Sequence, residues 1–200
     1  MIYGIAGKIG SGKDTVGKII QWINCRGPKP LLVDSLHPHE EWWLEDGSGF
    51  EIKKFASKIK QIASILTGEP LVKWEDQEFK AEFMPEAWGL MTYRDLLQKI
   101  GTEAMRDVIH KDIWVNAMFA DYYHTSKWII TDVRFPNEAD RVLAKGGMLI
   151  RVVRDSKYNS YHPSETALDN YKHFDVTITN DGTLEQLYEK VATILEEWKK

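Results

Sequence analysis

Gly7-Lys8-Ile9-Gly10-Ser11-Gly12-Lys13 spells G-x-x-x-x-G-K between an apolar run and a segment of helical period. Ile2 to Ala6 reads as a short buried strand. Val16, Ile19, Ile20 and Ile23 then fall at i, i+3, i+4 and i+7, one face of a helix. Strand, glycine-rich loop and helix in that order predict a phosphate cradle. The glycines let the loop fold tightly, so that successive backbone N–H groups and the helix N-terminus point at one anion, while Lys13 reaches the terminal phosphates. Gly7, Ile9, Gly10, Ser11, Gly12, Lys13, Asp14 and Thr15 are therefore the nucleotide-binding candidates. The alternative is a plain turn, but a turn need not supply both glycines, the lysine and both flanking elements together.

The full motif places Ser or Thr after the lysine to hold magnesium. Here Asp14 takes that place and Thr15 follows. Either Asp14 gives a carboxylate to the metal shell or Thr15 gives the hydroxyl.

Two hundred residues at 43% hydrophobic are enough to bury a core, and one domain spanning residues 1–200 is expected. No apolar run approaches ~20 residues, and the N-terminus lacks the basic-then-apolar plan of a signal peptide. A soluble cytoplasmic protein without a membrane partner is the expectation. The lone cysteine, Cys25, excludes an internal disulfide and a cysteine-rich zinc site. With 26 Lys plus Arg against 30 Asp plus Glu the net charge is −4, which argues against a broad nucleic-acid surface. Positive charge must be concentrated locally to bind small phosphates. The eight tryptophans either form a homodimer patch or fill the core.

Further along, Gly27-Pro28 ends the first helix, and Leu31 to Val33 is a strand candidate. Residues 34–49 form an acidic, aromatic loop. Phe50 to Ala56 reads as a strand and Lys58 to Leu66 as a helix ended by Gly68, followed by an irregular stretch over residues 69–91. Thr92 with Asp95 opens a helix through Leu96, Leu97, Ile100, Ala104, Met105 and Val108. On its other side Arg94, Gln98 and Gly101 recur at i, i+4 and i+7, with Thr102 adjacent. A mid-helix glycine costs about 1 kcal/mol relative to alanine, which predicts close approach by another group. A second helix starts at Asp112 and carries Trp114.

Trp128 to Thr131 is a buried strand that delivers Asp132 at its carboxyl end, with Arg134 two residues on. In open parallel sheets ligands lie beyond those ends, so Asp132 is expected to converge on the phosphates. Asn137 to Lys145 is a helix ended by Gly146-Gly147. Met148 to Val153 is a strand leading into Arg154. The polar segment 155–175 reads as a mobile lid whose histidines are solvated rather than metal-bound. Val176 to Thr179 is the last strand, and Thr183 with Gln186 caps a final helix. Strands alternate with helices throughout, which predicts an α/β fold: a parallel sheet with right-handed crossovers and helices on both faces.

A triphosphate loop leaves kinase, motor and GTPase open. No N-K-x-D base-reading motif is present, and the chain is small for a motor. Arginines at 94, 106, 134, 151 and 154 with a cover segment suit a small-molecule kinase, which gathers two anionic substrates and excludes water.

Several blocks also resemble one family. Gly12-Lys13-Asp14-Thr15, Phe55 to Lys60, Leu96 to Glu103, Asp112 to Val115, Thr131 to Arg134 and Ile178 to Gly182 are similar to the deoxynucleoside monophosphate kinases of bacteriophages. The resemblance runs from residue 1 to about residue 195. It implies a P-loop nucleoside monophosphate kinase fold that transfers the γ-phosphoryl group of ATP, with Mg²⁺, to a (deoxy)nucleoside monophosphate. It implies that Lys60, Arg94, Gly101, Thr102, Trp114 and Asp132 line the monophosphate site. Asn180 and Gly182 would lie near the adenine, and Arg154 at the lid edge. The expected catalytic set is Lys13, Arg94, Asp132, Arg134 and Arg154, with Trp114 as an aromatic wall and Arg134 or Arg154 meeting the transferring group. A kinase of the phosphomevalonate or dephospho-coenzyme A type, or an ATP-binding module without transfer activity, remains the alternative; Asp14 is the feature that favours the last.

Overall fold

Among the described residues five segments pair side by side as parallel strands: β1 (Ile2–Ala6), β2 (Glu51–Lys53), β3 (Trp128–Val133), β4 (Met148–Val153) and β5 (Val176–Thr179). Their order in the sheet is β2-β3-β1-β4-β5. Every residue of β1 and β3 is buried, as parallel strands covered on both faces require. Ile2 pairs with Trp128 on one side, while Tyr3 pairs with Met148 on the other. Because all strands run the same way, the residues that follow β1, β3, β4 and β5 gather at one edge of the sheet.

The computed structural model describes residues 1–24, 49–155 and 162–198. Cys25, the Gly27-Pro28 stop, the strand expected at residues 31–33 and nearly all of the acidic aromatic loop lie outside them. In chain order the α-helices are α1 (Lys13–Ile23), α2 (Ala56–Thr67), α3 (Gln77–Ala81), α4 (Tyr93–Gln98), α5 (Ile113–Phe119), α6 (Pro136–Ala144), α7 (Pro163–Thr166) and α8 (Leu184–Trp198). The chain packs as two compact units, Met1–Lys54 with Tyr123–Lys200, and Phe55–Tyr122.

In the first unit, helices cover both faces of the sheet. A Cβ built on Gly4 would lie 3.0 Å from Val142 of α6, whereas one on Gly17 of α1 would lie 3.7 Å from Ile5 and 2.5 Å from Thr131. Gly4 and Ile5 are successive strand residues and point to opposite faces, so α6 and α1 flank the sheet. Tyr3, Ile5, Val16, Ile19, Ile20, Ile129, Ile150 and Val152 form the core with Leu187, Val191 and Leu195 of α8. Thr183 and Gln186 cap α8 reciprocally, as their spacing predicts.

The expected strand 50–56 is shorter than its sequence suggests. Its ladder ends at the Lys53–Ile130 pair, and Ala56 already opens α2. Phe55, Ile59 and Ala63 follow at intervals of four, so the helical period reaches back through the stretch read as strand.

In the second unit, Gly68 ends α2 in the left-handed conformation at φ 76°. The stretch read as irregular contains short helical turns at Leu71–Glu75, Gln77–Ala81 and Glu86–Trp88. It also holds a small aromatic core: Trp74 meets Phe79 and Tyr93 edge-on at 5.6 Å, and Phe79 stacks on Tyr93 at 4.2 Å. Thr92 and Asp95 form the predicted capping box of α4, with bonds of 2.8 and 3.1 Å. Beyond Gln98 the winding changes. Lys99–Ile109 is π-helical, with bonds running i to i+5. The wider turn carries residues three and four apart off a common face, so Leu96 and Ile100 are buried while Val108, expected on the same stripe, is 79% exposed.

Candidate active site

The loop after β1 adopts the cradle shape. Gly10 and Gly12 have φ of 77° and 94°, a conformation that side-chain-bearing residues rarely adopt. Ser11 N–H donates to the Lys8 carbonyl at 3.1 Å, and the first bond of α1 runs from Val16 N–H to the Gly12 carbonyl at 2.9 Å. The amides of residues 13–15 therefore have no partner within the helix, and no side chain caps Gly12. Ser11 is 1% exposed, and its hydroxyl is buried without a hydrogen-bond partner. Unspent amides at a helix N-terminus, beside a buried orphan hydroxyl, are the donors that an anion satisfies.

The loop is braced from β5. Asn180, 8% exposed, donates from Nδ2 to the Ser11 carbonyl at 2.9 Å. A Cβ on Gly12 would strike that same carboxamide. Asn180, expected beside an adenine, is thus engaged with the loop itself. Gly182 lies exposed in the turn that follows.

Lys13 is 7% exposed and its ammonium donates to the Lys8 carbonyl at 3.3 Å. Burial and the Arg134 guanidinium push its pKa below the ordinary lysine value, against the opposing pull of Asp14, Glu165 and Asp132. Asp14 accepts from the Thr131 hydroxyl at 2.9 Å and pairs with Lys54 at 3.0 Å. Partial burial works to raise its pKa, but Lys54, Thr131 and Lys13 together hold it below the usual carboxylate value. Thr15, half-buried, follows on α1. Asp132, 7% exposed, is the penultimate residue of β3.

Arg134 follows β3, and its backbone is fixed by a residue that the motifs do not single out. Glu138, 1% exposed, accepts from the Arg134 amide at 2.7 Å and the Phe135 amide at 3.1 Å. The sequence signal was available: Pro136 with Glu two residues later is a helix-start pattern. The Arg134 guanidinium is ion-paired with Glu165 of α7, and the Ile9 amide of the loop donates to the same carboxylate at 2.9 Å. Gly7, Lys8, Ser11, Arg134, Arg154 and Phe174 all line one cavity of about 230 Å³. The first unit thus brings together the loop, Arg134 and Arg154, with Asp132 close enough to bear on Lys13.

The part of the expected lid that is described, residues 162–175, is fastened down. Arg151 donates to the Leu168 carbonyl and lies over the Phe174 ring, 4.2 Å from its centroid. Tyr171 donates to Asp140 at 2.6 Å. His162, read as solvated, instead accepts from the Ser164 amide and caps α7.

In the second unit Lys60 and Arg94 both reach the same short segment. Lys60, 8% exposed, pairs with Glu75 at 2.6 Å, and Arg94 donates to Gln77 at 3.0 Å. Lys80 donates to the Glu75 carbonyl at 3.3 Å, so three cations meet Glu75–Gln77. Thr102 is half-buried. Gly101 and Trp114 are also brought together, but by packing. Ile59 lies 3.1 Å from where a Gly101 Cβ would stand, and the Trp114 indole N–H donates to the Gly101 carbonyl at 2.7 Å. The missing side chain at Gly101 is explained by Ile59. Trp114, 3% exposed, offers a ligand almost no ring face, so the expected aromatic wall is not presented in this conformation.

Among the described residues no group of three or more His, Cys, Asp or Glu is placed to hold a metal, and no helix is long and apolar enough to cross a membrane. A parallel sheet whose central strand runs into a glycine-rich loop and helix, with arginines at its carboxyl edge, defines a P-loop fold. Residues 50–191 match the family model for deoxynucleotide monophosphate kinase, and the chain belongs to that family. A mimivirus protein named as a deoxynucleotide monophosphate kinase, from Acanthamoeba polyphaga mimivirus, is 30% identical over 77% of this chain and 87% of its own. The deoxynucleoside-5′-monophosphate kinase of Escherichia phage T5 is 27% identical over 84% of this chain and 85% of its own. The deoxynucleotide monophosphate kinase of Enterobacteria phage T4 is 33% identical, over 52% of this chain and 45% of its own.

Proposed function

We propose that this kinase transfers the γ-phosphoryl group of ATP directly to the phosphate of a deoxynucleoside monophosphate, giving the diphosphate and ADP. The observation that carries the reading is the loop of residues 7–15, with its unpartnered Ser11 hydroxyl and unspent first-turn amides in a member of this family. The bond from the γ-phosphorus to the β,γ-bridging oxygen breaks, and one forms to an acceptor phosphate oxygen. That oxygen is already ionised and nucleophilic, so no general base is needed. Catalysis then rests on alignment and charge stabilisation.

Each residue has a part in this scheme. The loop amides and the Ser11 hydroxyl hold the triphosphate tail, and Lys13 offsets charge on its β and γ phosphates. Arg134 or Arg154, on the wall of the loop's cavity, meets the transferring group. Lys60 and Arg94, both tied to Glu75–Gln77, hold the acceptor phosphate with Thr102. The oxygen donors Asp14, Thr15 and Asp132 suit Mg²⁺, which is held by few protein groups and completed by phosphate and water. When bound, the ion neutralises charge on the β and γ phosphates. Because the Asp14 carboxylate is already engaged by Lys54 and Thr131, the Thr15 hydroxyl is the better direct ligand.

The test is formation of ADP by the purified chain with ATP, Mg²⁺ and a panel of ribo- and deoxyribonucleoside monophosphates. Turnover with deoxyribonucleotides supports the assignment; absence of turnover with every monophosphate rejects it. Arg94→Ala should raise KM for the monophosphate about tenfold or more while changing KM for ATP less than twofold. Steady-state kinetics with each substrate varied separately would measure this, and equal effects on both would remove Arg94 from the acceptor site.

A further inference from the structure

The carboxylate of Glu165 bridges the glycine-rich loop and Arg134. One of its oxygens accepts from the Ile9 amide at 2.9 Å, within the phosphate loop, and the other is paired with the Arg134 guanidinium. The side chain is 10% exposed, so a charged group has been brought out of water onto two donors, one of them a loop amide. Lys13 lies close enough to be influenced by it. The adjoining Ser11 hydroxyl, meanwhile, has no partner.

We infer that Glu165 is a built-in occupant of the phosphate loop, which an incoming triphosphate must displace and which keeps Arg134 neutralised until that happens. The inference rests on the reading of residues 7–15 as the triphosphate site. A carboxylate and a phosphate oxygen compete for the same N–H and guanidinium donors, and in a poorly solvated site the two anions repel one another. Phosphate binding at the loop therefore frees Arg134 to turn toward the transferring group. The cost of displacement appears as a reduced apparent affinity, since only the fraction of molecules with Glu165 withdrawn can bind. α7 carries Glu165, and the His162 cap at its start sets the helix that aims the side chain.

The test is the dissociation constant for ATP, measured by titration calorimetry without acceptor, for the wild type and for Glu165→Gln, Glu165→Ala, Asp169→Asn and Lys13→Ala. Glu165→Gln keeps an acceptor for the Ile9 amide but removes the charge, and should bind ATP about tenfold more tightly, with Glu165→Ala at least as tight. Asp169, a second carboxylate on the cavity wall, forms an exposed pair with Lys8, and its substitution should change affinity less than twofold. Unchanged or weaker binding in Glu165→Gln, or equal tightening in Asp169→Asn, overturns the inference. Lys13→Ala separates the two levels: if it binds ATP as the wild type does, the loop reading itself fails. If it binds weakly while Glu165→Gln does not tighten, only the role of Glu165 falls. Should Glu165→Ala not fold, the near-isosteric Gln variant carries the test.

Discussion

Lys13→Ala lowers turnover by about 10²–10³-fold or more and leaves the fold intact. The size of the effect follows from the position of the ammonium. It is the buried cation at the end of the loop, 7% exposed, next to amides that carry only partial charge, whereas Lys8 of the same loop is about half exposed. In such a site a fixed charge acts on the developing phosphate charge with little screening by water. The fold loses little, because burial and Arg134 already disfavour the charged form of Lys13 and its bond to the Lys8 carbonyl is long, at 3.3 Å. Coupled measurement of ADP release, with a circular-dichroism melt of the same sample, checks both halves. Turnover within twofold of wild type would remove the loop from the chemistry. A collapse of the melt would show that Lys13 is structural.

Glu138→Ala is expected to have the largest effect on stability. It strips the half-buried Arg134 and Phe135 amides of a charged acceptor that is itself 1% exposed. A hydrogen bond to a charged group contributes about 1.5–3 kcal/mol, and the lower figure suits these half-buried amides, so the pair costs about 3 kcal/mol. At about 2–4 °C per kcal/mol for a chain of this size, the melting temperature falls by about 6–12 °C. Glu138→Gln retains an acceptor oxygen and should recover part of the loss. Differential scanning calorimetry of the three proteins measures this, and a fall under about 2 °C for the alanine variant would mean that the turn before α6 is held by something else. The loosened turn also carries Arg134, so kcat should fall further than the lost stability alone explains.

The nucleotide loop and most of the sheet were legible because their signals are local. β1, the loop and α1 are a contiguous pattern, and β4 has the bounds its apolar run predicts. The caps at Thr92 and Thr183 were read from spacings of three residues. The shorter β2 was missed because strand and helix periods overlap at Phe55. The π-helical stretch was missed for a related reason. A run of Ile100, Ala104, Met105 and Val108 fits the ordinary helical period, and nothing in it announces the wider winding that turns Val108 outward. The aromatic core of Trp74, Phe79 and Tyr93 was hidden inside a polar run, where only three-dimensional neighbours make it visible.

Among site residues, Lys13 and Arg134 could be proposed from where they stand in the chain. Glu165 could not. It reaches Ile9 across 156 residues of sequence, and no motif links the two. Gly101 was read correctly as a point of close approach, but periodicity cannot tell a ligand from Ile59. Lys60 was named by resemblance, and Arg94 both by its recurrence with Gln98 and Gly101 on one helix face and by resemblance. Their common attachment to Glu75–Gln77 is a tertiary fact that spacing does not contain.

The brace between Asn180 and Ser11 spans 169 positions of the chain. During synthesis the turn at Ser11 therefore emerges well ahead of its brace, and its carbonyl waits 169 residues for that partner. A ribosome-tethered fragment halted before residue 180 should hold ATP weakly, so nucleotide capture by the nascent protein would report the arrival of Asn180.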